Sequence, residues 1–166
     1  MNAISVLKTT LNSSSFILKT YLSDFDDEAL MIRPVPGANH LAWQMGHLIT
    51  AEPHLLCEQF PDAKPHFPEL PAGFAEKHSK EASSNDDPAG FFKLAEYLDL
   101  YGKTREATLK TLDGLTDADL DKETQGKMAK MFPTLGAIFV LISNHDLMHA
   151  GQFAVLRRKL GKPVVI

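Results

Sequence analysis

Residues 134–159 read TLGAIFVLISNHDLMHAGQFAVLRRK and predict one long helix around which the rest of the chain is built. Thr134 can cap the first free N–H groups. Three basic residues, Arg157–Lys159, fall in the last turn, and Gly161 suits the left-handed position after a helix, while Pro163 prevents continuation. We therefore expect an uninterrupted helix over this stretch.

Two histidines, His145 and His149, are four residues apart in this helix. Side chains at this spacing share a face, with about 6 Å between their Cβ atoms, so both rings can reach one metal ion. They belong to an apolar stripe that predicts a core-facing side: Ile138, Leu141, Ile142, His145, Met148, His149, Gln152 and Leu156. A buried polar group without a partner costs about 1–3 kcal/mol, so each ring needs a metal, a carboxylate or a backbone carbonyl. The spacing alone leaves two hydrogen-bonded core histidines as an alternative.

Length and composition predict one domain over residues 1–166, because the chain is long enough to bury a sizeable core. The net charge of −4 argues against a nucleic-acid partner, which needs a basic face. The longest apolar run, 135–142, is far shorter than the roughly 20 residues that span a bilayer, so we expect no membrane partner. Cys57 is the single cysteine, which excludes an internal disulfide and favours a cytoplasmic location. It is a small buried hydrophobe or, alternatively, a nucleophile.

Three further helices are expected: residues 2–22, residues 39–60 with Asn39 as cap, and residues 88–112 with Pro88 in the first turn. Pro53 should kink or restart the second of them. No segment shows the period-2 pattern of a strand. The prediction is an all-α four-helix bundle with a long irregular connection, residues 61–87, between helices 2 and 3. That connection is either a lid or a passive surface excursion.

The third helix predicts an inward face and a solvated face. The inward residues are Phe91, Leu94, Ala95, Leu98, Tyr101 and Leu109. The charged residues nearby, which include Lys103, Arg105 and Glu106, predict a face in water.

Two connectors resemble each other at a constant offset of 90 residues. Leu22-x-x-Phe25-Asp26-Asp27-x-x-Leu30 aligns with Leu112-x-x-Leu115-Thr116-Asp117-x-x-Leu120. If this is a duplication, the second and fourth helices are equivalent and both face the axis between two halves. That places His47 opposite His145 and His149. Similar helix exits could also produce the match by chance.

His40, His47 and His54 recur every seven residues along the second helix. One heptad rises about 10.5 Å, so a single metal ion can take at most one of the three. The repeated connectors favour His47.

Two stretches carry a more specific pattern. Residues 34–48 read PVPGANHLAWQMGHL, and residues 144–152 read NHDLMHAGQ, followed by LRRKLG at 156–161. The pairing of G-H-L in one helix with H-x-x-x-H-x-G-Q in another resembles the DinB/YfiT-like superfamily of metal-dependent enzymes. The connector from Leu22 to Leu30 fits this family too.

The resemblance implies a four-helix bundle in which three histidines hold a divalent metal. Carried over position by position, they are His47, His145 and His149. Characterised relatives include transferases that use small thiols such as bacillithiol, mycothiol or glutathione, and homodimers are common among them. The expected partners are therefore a small-molecule substrate, a low-molecular-weight thiol and a second copy of the chain.

Three neutral imidazoles leave open coordination positions, as catalytic metal sites require. Zinc, nickel and ferrous iron all suit imidazole, so the ligands alone do not choose the metal. The prediction is zinc or nickel, with iron or manganese as the alternative. Residues that could orient the ligands or line the pocket are Trp43, Gln44, Glu52, Asp146 and Gln152. Gln152 is the best placed, one turn from His149. Asp146 lies about 100° from the stripe and is expected to face solvent or a dimer partner.

The function predicted from these features is a metal-dependent small-thiol S-transferase. One alternative is a non-catalytic helical dimer that is metal-stabilised or metal-free. Another is a metal-dependent hydrolase, because an ion at an open site can also activate water.

Overall fold

The computed structural model describes all residues 1–166, and nearly every ordered segment is helical. The helices are α1 (Ala3–Leu22), α2 (Leu41–Gln59), α3 (Phe74–Lys77), α4 (Leu94–Asp113), α5 (Asp117–Leu120) and α6 (Leu135–Lys159). Single 3-10 segments lie at Ala29–Met31, Pro61–His66, Pro88–Gly90 and Gly126–Met128. The long helices α1, α2, α4 and α6 form a bundle, which confirms the predicted fold class. The one β-type pairing is an isolated bridge between Glu123 and Thr134.

The order of the long helices around the bundle is α1, α6, α2, α4. Helices α1 and α2 therefore occupy opposite corners, as do α4 and α6. The larger of two apolar clusters contains the C-terminal halves of α1 and α6 and the N-terminal halves of α2 and α4. Thus α1 and α6 run in one direction, and α2 and α4 run in the other.

The ends of α6 follow the predicted signals. Thr134 accepts a hydrogen bond from the Ala137 N–H. At the other end Gly161 has a φ of +69°. The N–H groups of Gly161 and Lys162 close back on the carbonyls of Arg158 and Arg157, at 3.1 and 2.8 Å. This is a Schellman ending, and it stops the helix where the sequence indicated.

Two local predictions about the other helices, the cap of α2 and the start of α4, were wrong. The cap of α2 is His40 rather than Asn39, because His40 Nδ1 accepts from the Trp43 N–H at 3.1 Å. Of the two alternatives for Pro53, a kink or a restart, the structure excludes the restart, because α2 is one helix through this residue. Pro88 begins only a 3-10 turn, and α4 starts at Leu94.

A layer of polar side chains separates the larger apolar cluster from a smaller one at the opposite end of the bundle. This polar layer consists of Ser14, Glu52, Tyr101, Arg105 and Asp146, and all five are buried. Each long helix contributes to it near its middle. Asp146 of this layer precedes His149 by three residues on α6, so the layer is adjacent to the region that holds the histidines.

The buried faces of α4 and α6 differ from those predicted. Met148 is exposed and Leu141 and Gln152 are only half-buried, whereas Phe139 and Phe153 are buried. Helix α6 packs against both α1 and α2, which rotates its inward face away from Met148. In α4, Ala95 is exposed, whereas the Arg105 side chain, expected in water, is buried.

The offset of 90 residues recurs in the structure as a pair of reciprocal caps. Asp27 Oδ1 accepts from the Leu94 N–H at the start of α4, at 2.8 Å. Asp117 Oδ1 accepts from the Ile4 N–H at the start of α1, at 3.1 Å. Helix α1 has six buried residues, and the residue 90 positions after each of them is buried in α4. The six residues of α1 are Leu7, Leu11, Ser14, Ser15, Leu18 and Leu22. The two halves of the chain are therefore arranged as pseudo-symmetric equivalents.

The connection over 61–87 is fastened to the bundle. His78 is buried, its Nδ1 contacts the Phe74 carbonyl at 2.7 Å, and its Nε2 contacts the Tyr97 hydroxyl at 2.8 Å. The His78 ring packs directly against the backbone of Gly46 in α2. Any larger residue at position 46 would clash with it, because a Cβ there would lie 2.0 Å from His78 Cδ2. Trp43 Nε1 donates to the Ser79 carbonyl at 2.8 Å. The second half of the connection is thus a fixed wall beside α2.

No helix of the chain combines the length and the apolarity that a membrane crossing would demand.

Candidate metal centre

The side chains of His47, His145 and His149 converge where α2 packs against α6. One ring nitrogen from each lies within 4.8 Å of the others. The Nε2 atoms of His145 and His149 are 3.2 Å apart. Nitrogen ligands of tetrahedral zinc lie about 3.4 Å from one another, since each is 2.0–2.1 Å from the ion. The two nitrogens on α6 already have this separation.

Gln44 fixes the orientation and the tautomer of His149. The Gln44 Nε2 group donates to the Asn39 carbonyl at 2.7 Å, so its Oε1 must be the atom that lies 2.8 Å from His149 Nδ1. That oxygen can only accept, and His149 Nδ1 therefore carries the proton. As a result, His149 Nε2 presents a lone pair to the point where the three rings meet.

The ring of His47 is held by stacking. It lies parallel to the Trp43 indole, with 4.9 Å between ring centroids and 9° between planes. The same indole donates to Ser79, so its own position is fixed from the side of the connection. Trp43 packs against a candidate ligand and lines the site.

Burial keeps the three imidazoles neutral near pH 7. Burial, and next the neighbouring His145, lower the pKa of His47 to about 4. Burial, and next His145 and His47, lower the pKa of His149 to about 3. The pKa of His145 is lowered by burial as well. Neutral rings with available lone pairs are the form that a divalent cation requires.

The donor set therefore fits a divalent metal ion. Three imidazoles converge, one tautomer is fixed with its free nitrogen inward, and the cluster contains no carboxylate or thiol. A hollow of about 390 Å³ reaches His47 from the surface, between α2 and Ala75, His78 and Ser79. Three ligands with one accessible side are typical of a catalytic rather than a closed structural site.

Glu52 and Asp146 do not face the histidines. Both are buried and pair with Arg105, whose Nη2 atom lies 3.2 Å from Glu52 Oε2 and 2.7 Å from Asp146 Oδ2. Asp146 Oδ2 also accepts from the hydroxyls of Ser14 and Tyr101, at 2.7 and 2.8 Å. The expectation that Asp146 faces solvent or a partner was wrong, because the polar layer captures it.

Gln152 is half-buried and makes no hydrogen bond to a histidine. Gln44, from the other helix, occupies the position beside His149 that the sequence favoured for Gln152. His40 caps α2 and contacts the Asn85 carbonyl, and His54 is exposed, so only His47 of the heptad series reaches the cluster.

Two features near the site were missed from sequence. The first is His78 with Tyr97, which ties the long connection to α2 beside His47. The second is the buried Arg105. The offset of 90 residues that relates the two connectors aligns Arg105 with Ser15, which is buried in α1, so the repeat could have predicted its burial.

Comparison with known protein families gives one match, to the DinB superfamily, over residues 17–153. None of the curated proteins compared with the chain matches it.

Solved structures share the fold at low sequence identity. One is YfiT from Bacillus subtilis, described as a probable metal-dependent hydrolase with an unusual four-helix bundle topology. It is 17% identical, with a TM-score of 0.65 over 96% of this chain and 89% of that one. Another is a conserved protein from Enterococcus faecalis, 16% identical, with a TM-score of 0.69 over 98% of this chain and 99% of that one.

Proposed function

Since this chain belongs to the DinB superfamily, we propose that it is a divalent-metal-dependent enzyme that acts on a small molecule. The observation that carries the proposal is the convergence of His47, His145 and His149, with the free nitrogen of His149 turned inward by Gln44. The alternative of two hydrogen-bonded core histidines explains neither the third ring, His47, nor the hollow that reaches it from the surface.

Zinc and nickel suit three imidazoles best, with iron or manganese as the alternatives. When bound, such an ion supplies Lewis acidity, which makes a thiol or a water molecule nucleophilic at neutral pH. The chain itself orients the ligands through Gln44 and Trp43. The segment around His78 lines the hollow through which a small molecule can reach His47.

The proposed reaction is the transfer of a small thiol to an electrophile. Supporting it, the metal cluster contains no carboxylate, and the two buried carboxylates nearest in sequence are held by Arg105. Neither carboxylate of this pair is therefore free to act as a general base toward an attacking water molecule. A reducing cytoplasm, in which small thiols persist, is the proposed location.

The test is a panel of thiols with monochlorobimane, using protein of known metal content. In each reaction a sulfur–carbon bond forms, chloride leaves and the thiol proton goes to solvent. We expect acceleration that depends on which thiol is supplied and that disappears after chelation with EDTA. If none of bacillithiol, mycothiol, glutathione or cysteine is consumed faster than without protein, transfer is the wrong reaction.

A metal-dependent hydrolase is the second candidate, because the structurally similar YfiT is described as a probable one. Cleavage of esters or amides without a thiol, abolished by chelation, would favour it over transfer. A metal-loaded protein that accelerates neither reaction supports the metal-stabilised, non-catalytic dimer instead.

Replacing Gln44 by leucine is expected to weaken zinc affinity about 10- to 100-fold, because the acceptor that fixes the His149 tautomer is lost. Gln152→Leu is the matched control, since Gln152 is the same residue type near the same histidine without a hydrogen bond to it. Competition with a chromophoric chelator measures both affinities. Equal affinities for the two variants would exclude Gln44 as an orienting residue.

The proposed assembly is a homodimer through the exposed side of α1 and α6. Several large apolar side chains are exposed there on neighbouring helices: Phe16, Val140, Leu147, Met148 and Val155. Light scattering should give twice the chain mass of 18.4 kDa, and Leu147→Lys should reduce it to one chain. A mass of one chain for the parent protein at all concentrations would refute the dimer.

A further inference from the structure

A second cavity lies apart from the three histidines. It has a volume of about 950 Å³, is open to solvent on one side and is bordered by α2, α4 and the proline-rich segment over 61–70. Ile49, Pro53, Phe67 and Leu70 give it mainly apolar walls. Pockets that hold organic ligands have volumes of about 300–1,000 Å³ and walls of this character.

One polar group on the wall lacks a hydrogen-bond partner within the protein. Thr104 is fully buried and lines the cavity, and its hydroxyl makes no hydrogen bond. A buried hydroxyl left unpaired is destabilising, so a ligand group that bonds to Thr104 Oγ1 removes that cost on binding.

The rim carries charge that is not paired. Lys64 forms no salt bridge, and its ammonium group acts on the Cys57 thiol across the cavity. Burial nevertheless raises the pKa of Cys57, so the thiol is uncharged near pH 7. Glu69 also borders the rim, which favours a ligand with a single negative charge over a dianion.

We propose that this cavity binds an organic monoanion with an apolar, ring-sized body and one hydroxyl or N–H group. The apolar body packs against Ile49, Phe67 and Leu70. The hydroxyl or N–H group meets Thr104 Oγ1, and the anionic end meets Lys64. The proposal does not depend on the metal.

The cavity and the candidate metal centre are neighbours. His54 borders both this cavity and the hollow that reaches His47. His54 follows His47 by seven residues on α2, which corresponds to about 10.5 Å along the helix. A molecule in the cavity is thus close to the open side of the centre without touching its ligands.

Anilinonaphthalenesulfonate is a suitable probe, because it has aromatic rings, one N–H group and one sulfonate. Its fluorescence is titrated with the folded protein, both after EDTA treatment and loaded with zinc. We expect saturation at one dye per chain in both forms. Cys57 is the single thiol of the chain, so its alkylation by N-ethylmaleimide at pH 8 reports on the cavity. Saturating dye should slow that alkylation at least 10-fold.

Variants test the individual contacts. Thr104→Val keeps the side-chain shape without the hydroxyl and should weaken dye binding about 10-fold. Lys64→Gln, on the exposed rim where folding is not at risk, should weaken it several-fold, and Lys130→Gln is the control for lost surface charge. Fluorescence without protection of Cys57 would place the dye elsewhere and overturn the proposal. Equal affinity of Lys64→Gln and Lys130→Gln would overturn the anionic part of it.

Discussion

Replacing Arg105 by methionine is expected to lower the free energy of unfolding by about 3–5 kcal/mol. The guanidinium is 4% exposed and pairs with both Glu52 and Asp146 inside the bundle. Its removal leaves two buried carboxylates without a counter-ion, and the Leu11 carbonyl also loses a donor. Chemical denaturation followed by circular dichroism measures the change.

The loss should depend on pH in a defined direction. Burial raises the pKa of Glu52 and of Asp146, and the charge of Arg105 opposes that rise. Without Arg105 both pKa values rise further in the folded state. A group with a raised folded pKa contributes stability at low pH and loses it as pH increases. The variant should therefore be closest to the parent near pH 4 and furthest from it near pH 8.

Lys103→Met is the matched control for Arg105→Met. It also removes a cation from α4, but the Lys103–Asp99 pair is largely exposed and contributes no more than about 0.5 kcal/mol. A variant that adds Glu52→Gln and Asp146→Asn to Arg105→Met should recover part of the loss. If Arg105→Met and Lys103→Met are equally stable, the polar layer does not have the charges assigned to it.

Replacing His149 by alanine is expected to lower zinc affinity by more than about 100-fold. This is a larger loss than the one expected for Gln44→Leu, which removes only the residue that orients His149. The change removes one of three nitrogen donors, the one whose lone pair Gln44 directs inward. Thiol transfer should disappear in parallel. Competition titration with a chelator measures the affinity.

His66→Ala is the control for this variant, because His66 is exposed and belongs to no cluster of possible ligands. It should bind zinc as the parent does and keep the parent's activity. An unchanged affinity of His149→Ala would show that the metal, if bound, lies elsewhere.

Local sequence patterns were sufficient for the presence of four long helices, for the limits of α6 and for the histidine pair. Capping and termination signals lie within a few residues of the ends they define, so the limits of α6 could be predicted from Thr134 and Gly161. The four-residue spacing of His145 and His149 needs only helical geometry. The repeated connectors nominated His47, because pseudo-symmetry relates distant segments that sequence otherwise leaves unconnected.

Contacts between distant segments could not be predicted in this way. The partner of His149 is Gln44, which is 105 residues away, so periodicity within α6 favoured Gln152 instead. Arg105 was expected in water because a charged residue on a helix is usually solvated. Its burial depends on two carboxylates from other helices. The long connection likewise acquires its order from Gly46 and Tyr97, which lie outside it.

The binding of a divalent ion by His47, His145 and His149 is the central claim, and metal stoichiometry tests it most directly. Purified protein, loaded with zinc or nickel and then desalted, is measured by elemental analysis and by thermal unfolding. We expect one equivalent per chain and a raised melting temperature, since a ligand that binds only the folded state stabilises it. Less than about a tenth of an equivalent, with no shift in melting temperature for either metal, would contradict the claim.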